Sequence, residues 1–178
     1  MSRTSLHHHL LRISGARTIA LIIGLIVLIE GLWFNPSLVQ ANREVAPDFH
    51  VSSLDGTHFS NFKLEGEQAL IMFWAPWCSV CQKELPKLTQ YFQDDLPNDL
   101  QVLTIGTSAS RQEVVRYVNE HPKTFVFPTA YDANKTIAKD FHIRLFPTYV
   151  LLDGDGTILL VHRGSGILNS RKFHQLTR

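Results

Sequence analysis

Ala69-Leu-Ile-Met-Phe-Trp74-Ala75-Pro76-Trp77-Cys78-Ser79-Val80-Cys81 is the stretch on which the fold of this chain turns. Gln68 to Trp74 is an apolar run of strand length, and Leu85, Leu88 and Phe92 beyond it fall at helical spacing. The pattern predicts a buried strand passing into a helix that opens at Cys78 and runs to about Phe92. Two thiols separated by two residues at such a junction can close a disulfide and reopen it, and the opening of a helix favours the thiolate that does this chemistry. Thiol–disulfide exchange is therefore the leading chemistry.

These are the only two cysteines among 178 residues, so one copy of the chain builds neither a disulfide framework nor a four-cysteine zinc site. As a mere staple, a bridge over so short a loop restrains the unfolded chain by only roughly 2 kcal/mol. A half-site for a metal, completed by a histidine or a partner, is the other alternative to redox chemistry.

Composition narrows the partners. With 17 basic against 16 acidic residues and a formal charge of +1, the chain carries no footprint for nucleic acid and no polybasic membrane patch. Apolar content of 44% with 19% charged residues fits one globular domain plus a separate hydrophobic segment. That segment is Thr18 to Phe34, apolar except for Glu30 and the glycines Gly24 and Gly31, after an acid-free leader with Arg3, Arg12 and Arg17. At 1.5 Å per residue it spans about 25 Å against a hydrocarbon core of about 30 Å, a marginal spanning helix. The basic leader argues for a cytoplasmic N-terminus with the bulk of the chain across the membrane. The alternatives are a cleaved signal peptide, with Val39-Gln40-Ala41 as the cleavage pattern, and a buried helix of the soluble domain.

The expected division is a cytoplasmic leader over 1–17, a transmembrane anchor or signal segment over 18–34, a tether over 35–46 and the working domain over 47–178. In that domain Phe49 to Phe59 alternates around Asp55-Gly56 and reads as a hairpin. Pro86 is expected to kink the Cys78 helix. Strands are expected at Leu100 to Gly106, Thr124 to Phe127, Thr148 to Leu152 and Thr157 to His162, the last two joined by a turn at Asp153 to Gly156. Helices are expected from the capping box Ser110-Arg-Gln-Glu113 to Glu120, from Asn134 to Phe141 and from Asn169 to Leu176. This alternation describes an α/β sheet, mixed rather than fully parallel. Asp153-Gly-Asp-Gly156 is read as a turn rather than a calcium loop, His7-His8-His9 as a polar leader and His142 as a packed or surface histidine.

Phe73-Trp74-Ala75-Pro76-Trp77-Cys78-Ser79-Val80-Cys81, then Glu84-Leu85-Pro86, and downstream Phe146-Pro147-Thr148, make the chain resemble the thioredoxin superfamily, and within it the membrane-anchored, extracytoplasmic TlpA/ResA-like proteins. The resemblance covers about Pro47 to Arg178. It implies a thioredoxin fold with a mixed central sheet flanked by helices, an N-terminal β-hairpin and an inserted helix–strand unit, preceded by the N-terminal transmembrane or signal helix. Where cytoplasmic thioredoxins resemble one another in holding a buried Asp, six residues before the first cysteine, this chain has Met72. Glu84, on the helix face of Cys81, is the implied proton-handling residue, with a carboxyl raised by apolar surroundings. Pro147 is implied to be a cis-proline facing the disulfide, and Trp77, Phe146 and Pro147 to form the substrate surface. Cys78 is the implied nucleophile and Cys81 the resolving thiol.

The function so implied is a thiol–disulfide oxidoreductase outside the cytoplasm that reduces partner proteins, for instance apocytochrome c, a methionine sulfoxide reductase or a copper-site protein. The alternatives are a thiol oxidase or isomerase, or a metal-binding carrier that uses the dithiol as ligands. No cofactor is expected beyond the redox disulfide Cys78–Cys81, and no metal. Expected partners are proteins with disulfides or thiols, a membrane or extracytoplasmic electron donor, and the lipid bilayer through the N-terminal helix, with no nucleic acid. The location implied is the bacterial inner membrane with the domain facing the periplasm, or the periplasm itself after signal cleavage.

Overall fold

Gln68–Trp74 (β3) forms the strand that its apolar run predicts, and it takes the middle of a five-stranded sheet. The computed structural model describes residues 44–60 and 66–177. On one side β3 pairs in parallel with Leu100–Gly106 (β4), in register from Gln68 opposite Leu100 to Trp74 opposite Gly106. On the other it pairs antiparallel with Thr148–Leu152 (β6), Met72 lying opposite Tyr149. Thr129–Tyr131 (β5) and Ile158–Arg163 (β7) complete the order β5-β4-β3-β6-β7. Two parallel pairings and two antiparallel ones, with β6 alone running against the other four strands, make the mixed sheet expected.

Both faces of the sheet are covered, which is why β3 is apolar throughout rather than alternating. Leu70, Met72 and Trp74 point to one face, where Cys81, Leu85, Leu88 and Tyr91 of the helix Ser79–Asp94 (α1) and Phe173 of Arg171–Leu176 (α4) cover them. Ala69, Ile71 and Phe73 point to the other, under Phe49 and the residues Ile137 and Ala138 of Thr136–Asp140 (α3). Met72 is fully buried on the α1 side, so an apolar side chain stands on that face of β3 in the cluster with Cys81 and Leu85.

His50–Ser52 (β1) and His58–Ser60 (β2) form the predicted hairpin, with His50 opposite Ser60 and Gly56 supplying the positive φ of its turn. It is tied to the β5 edge by the Leu54 amide, which donates to the Thr129 carbonyl at 2.7 Å. Glu44 and Ala46 hydrogen-bond to Ile158 and Gly156, so residues read as the end of the tether already belong to the folded domain. The leader and the 18–34 segment lie outside the described residues. Among the described residues no helix is long and apolar enough to cross a membrane.

Several expected boundaries move. No strand forms over Thr124 to Phe127. Proline at 128 has no amide for a ladder, and the chain joins the sheet only at Thr129, with the Pro128 carbonyl accepting from the Thr104 amide at 2.9 Å. Phe125 and Phe127 are instead packing residues, their rings 5.0 Å from Trp74 and 5.9 Å from Phe92. The helix–strand insertion is therefore Arg111–Glu120 (α2) followed by β5. The helix expected from Asn134 begins only at Thr136, because Asn134 and Lys135 are left-handed and the buried Asp132 carboxylate caps the amides of Ile137 and Ala138. The final helix starts at Arg171 after a 3-10 turn over Ile167–Asn169. Only half of the capping box closes: Ser110 Oγ accepts from the Glu113 amide at 3.4 Å, while the Glu113 carboxylate takes the Ser108 hydroxyl. The helix α1 runs unbroken through Pro86.

Gly106 is required by close approach. A Cβ there would stand 2.7 Å from Val114 Cγ1 and 3.1 Å from the Trp74 ring. We expect Gly106→Ala to lower stability by about 1–3 kcal/mol through overpacking, and Gly106→Ala with Val114→Ala to lose less than the sum of the single changes. Urea unfolding of the four proteins checks this; strict additivity would show that the methyl is not the obstacle.

Candidate active site

The sulfur pair lies where β3 hands over to α1. After Trp74 the chain turns, the Cys78 amide donating to the Ala75 carbonyl at 3.1 Å, and Cys78 becomes the N-cap of α1 with extended backbone angles. Its sulfur accepts from the Cys81 amide at 3.1 Å. Cys78 and Cys81 form a disulfide with their Cα atoms 5.2 Å apart. Cys78 is 8% exposed and Cys81 is fully buried, so the two sulfurs differ in what can reach them. No acidic residue occupies the first turn of α1, which leaves the positive end of its dipole unopposed by a carboxylate from that turn.

One helical turn beyond Cys81, Glu84 is buried at 2% exposure and bound on both oxygens. Oε1 accepts from Lys87 Nζ at 2.7 Å. Oε2 accepts from the Gly166 amide at 2.8 Å and from the Tyr149 hydroxyl at 3.4 Å. Burial pushes the carboxyl up, but the Lys87 hydrogen bond, the Gly166 amide, the Lys87 charge and the Tyr149 hydroxyl together outweigh it and hold Glu84 below its ordinary value. The expectation of a raised carboxyl is thus overturned: the surroundings are buried but not apolar. Tyr149 shifts the opposite way, its hydroxyl raised by burial and by the neighbouring Glu84 charge and hydrogen bond.

The downstream motif meets the cysteine loop through aromatic contact. Trp77, 65% exposed, stands edge-to-face on Phe146 with ring centroids 5.8 Å apart. The Phe146–Pro147 peptide bond is cis, and the Pro147 carbonyl accepts from the Gly164 amide at 2.8 Å. Val80 and Leu145 are also exposed large apolar residues. Trp74, by contrast, is fully buried against Tyr117 and Phe125 and serves the core. Among the described residues no group of three or more His, Cys, Asp or Glu side chains is arranged to hold a metal ion.

Sequence reasoning brought Cys78, Cys81, Glu84, Trp77, Phe146 and Pro147 to attention and missed Tyr149, Lys87 and Gly166. A signal for Tyr149 existed in the alternation of its strand, since the pairing with Met72 puts both on the α1 face. The donation by Gly166 is a backbone act and leaves no side-chain signature.

The arrangement of this sheet and helix recurs in solved proteins. A putative thioredoxin from Neisseria meningitidis is 32% identical with a TM-score of 0.63, over 74% of this chain and 85% of that one. Among curated proteins, the sporulation thiol-disulfide oxidoreductase A of Bacillus subtilis is 32% identical over 141 residues, 74% of this chain and 82% of the relative. The thiol-disulfide oxidoreductase ResA of Bacillus thuringiensis is 27% identical over 132 residues, 74% and 75% of the two chains. Fold, sulfur pair and relatives together define an enzyme of the thiol–disulfide oxidoreductase class. The AhpC/TSA family model matches residues 43–161, and the chain belongs to that thioredoxin-like family.

A carboxyl held below its ordinary value lends stability that is fully present above that value and is lost as pH falls through the lowered folded value. Glu84→Gln, which keeps the shape but removes the charge, is expected to destabilise by about 1–3 kcal/mol at pH 7. The gap to the unsubstituted protein should narrow at pH 3. Urea unfolding at both pH values checks this, and a gap independent of pH would contradict an ionised Glu84.

Proposed function

We propose that this enzyme reduces disulfides in partner proteins outside the cytoplasm, with Cys78 as the attacking thiolate. The observation that carries the assignment is the difference in exposure between the two sulfurs at the head of α1. A partner reaches Cys78 first, and the helix dipole with the surrounding amides stabilises its thiolate.

In the reduced enzyme Cys78 attacks a partner disulfide and forms a mixed disulfide, releasing one partner sulfur as thiolate. Cys81, brought to its thiolate by loss of a proton to Glu84, then attacks Cys78. The Cys78–Cys81 bond forms, the second partner sulfur leaves, and two electrons have passed to the partner. Trp77, Phe146 and Pro147 form the surface on which an extended partner segment lies, its apolar side chains against the exposed Trp77 and Leu145 rim. A donor at the membrane or beyond it returns the enzyme to its dithiol. The placement outside the cytoplasm rests on the 18–34 segment and its basic leader, as read from the sequence. The domain boundaries proposed are those of the sequence reading, with the folded part beginning by Glu44.

The enzyme's Cys81→Ser variant is expected to accumulate mixed disulfides on Cys78 with extracytoplasmic proteins, and Cys78→Ser to trap none; trapping by Cys78→Ser alone would reverse the assignment. Equilibration with glutathione is expected to give a potential below about −200 mV, whereas a value near −120 mV would make the enzyme an oxidant.

A further inference from the structure

The groups that hold Glu84 are unequal in a way that matters for proton transfer. Gly166 and Tyr149 hold Oε2 from within the fold, Tyr149 being only 1% exposed. Oε1 is held by Lys87, whose side chain is 60% exposed. A carboxylate whose oxygens all accept hydrogen bonds is a weak base, because each donor stabilises the charged form. Each donor that leaves makes the carboxylate a stronger base, and the flexible, solvent-facing lysine is the donor that leaves most easily.

The surroundings connect this carboxylate to solvent. Glu84 and Lys87 line an open cavity of about 600 Å³ between α1 and the segment from Gly166 to Thr177. The titratable groups around the carboxylate are Lys87, with Tyr91 farther along α1 and Asp95 capping its end; Tyr149 on β6, with the His162 ring 6.1 Å from its own on β7; and His174 on α4. The ring of His174 is engaged with the Leu168 carbonyl at 2.7 Å. Of these groups, Lys87 and Tyr149 are the two that touch Glu84.

We propose that Lys87 and Tyr149 are positioning residues that fix Glu84 as an anion in the disulfide form, and that departure of the Lys87 ammonium from Oε1 readies the carboxylate to accept the proton of Cys81. The inference rests on the proposed role of Glu84 as proton acceptor. In the mixed-disulfide state the proton moves from the Cys81 sulfur to Oε1, giving a neutral carboxylic acid and a thiolate. That thiolate forms the bond to Cys78 and expels the partner sulfur with the bonding electron pair. Glu84 then returns its proton to water in the cavity, and Lys87 closes again on the restored charge.

The test uses the full chain and two readouts. The first is the titration of the Glu84 carboxyl by carbon NMR in the oxidised protein. The second is the rate at which Cys81 expels 5-thio-2-nitrobenzoate from its mixed disulfide with Cys78, measured against pH. Lys87→Met is expected to move the carboxyl titration and the acidic limb of the rate profile to higher pH. Expulsion becomes roughly two- to fivefold slower below the limb, where the base is protonated, and faster above it, where the base is stronger. A crossing of the two profiles is something a purely structural role would not produce. Lys87→Arg restores the wild-type profile, 0.5 M salt shifts wild type toward Lys87→Met without moving that variant, and Tyr149→Phe raises the titration while keeping its salt dependence. The proposal is overturned if Lys87→Met and added salt both leave the carboxyl titration where it was. An acidic limb unchanged in Glu84→Gln would instead overturn the role of Glu84 as proton acceptor, a failure distinct from the first.

Discussion

The burial of β3 is the constraint on which the rest of this structure depends. Leu70, Ile71, Met72, Phe73 and Trp74 are each at most 1% exposed, and fully burying side chains of this kind stabilises by about 1.5–3 kcal/mol apiece. Such a strand needs a neighbour on each side to satisfy its amides and carbonyls, and a layer on each face to exclude water. β4 and β6 supply the first, α1, α4, α3 and Phe49 the second. Because the strand is fixed on all four sides, the turn that leaves it is fixed too. Cys78 therefore opens a helix at a set place, and the sulfur pair inherits its position from the core.

The same logic explains why a charge is tolerated one turn further along α1. An isolated buried carboxylate costs far more than a single hydrogen bond returns, and it persists only where donors converge on it. Glu84 draws one donor from its own helix, one from β6 and one from the loop after β7. Three segments that meet only in the folded chain thus share one anion. The carboxylate is a tie between them as well as a neighbour of the redox pair.

The strand-to-helix junction, the hairpin around Asp55-Gly56, the mixed sheet and the pair Cys78–Cys81 were legible because each leaves a local pattern: an apolar run, an alternation, a turn dipeptide, a spacing. Where the reading failed, a non-local competitor was at work. The aromatic Thr124 to Phe127 stretch has the composition of a strand, yet its rings are claimed by Trp74 and Phe92 and its exit is governed by Pro128. Asn134 and Lys135 have ordinary helical company in sequence, but the cap that starts the helix is Asp132, and the chain must pass through left-handed angles to reach it. Ser110 and Glu113 have the spacing of a reciprocal cap, but Ser108 competes for the carboxylate.

Sequence on its own put the chemistry in first place among its alternatives: two sulfurs and no others, spaced to close on each other at a helix opening, on a chain whose strands and helices alternate. Those are covalent and short-range properties, carried by residues a few positions apart. The charge state of Glu84 was decided only by the tertiary fold, because two of the donors that hold it as an anion lie 65 and 82 residues away in the chain. So too was the meeting of Trp77 with Phe146. Burial alone pushes a carboxyl up; which groups are buried with it determines whether it stays up, and that is a property of the assembled core.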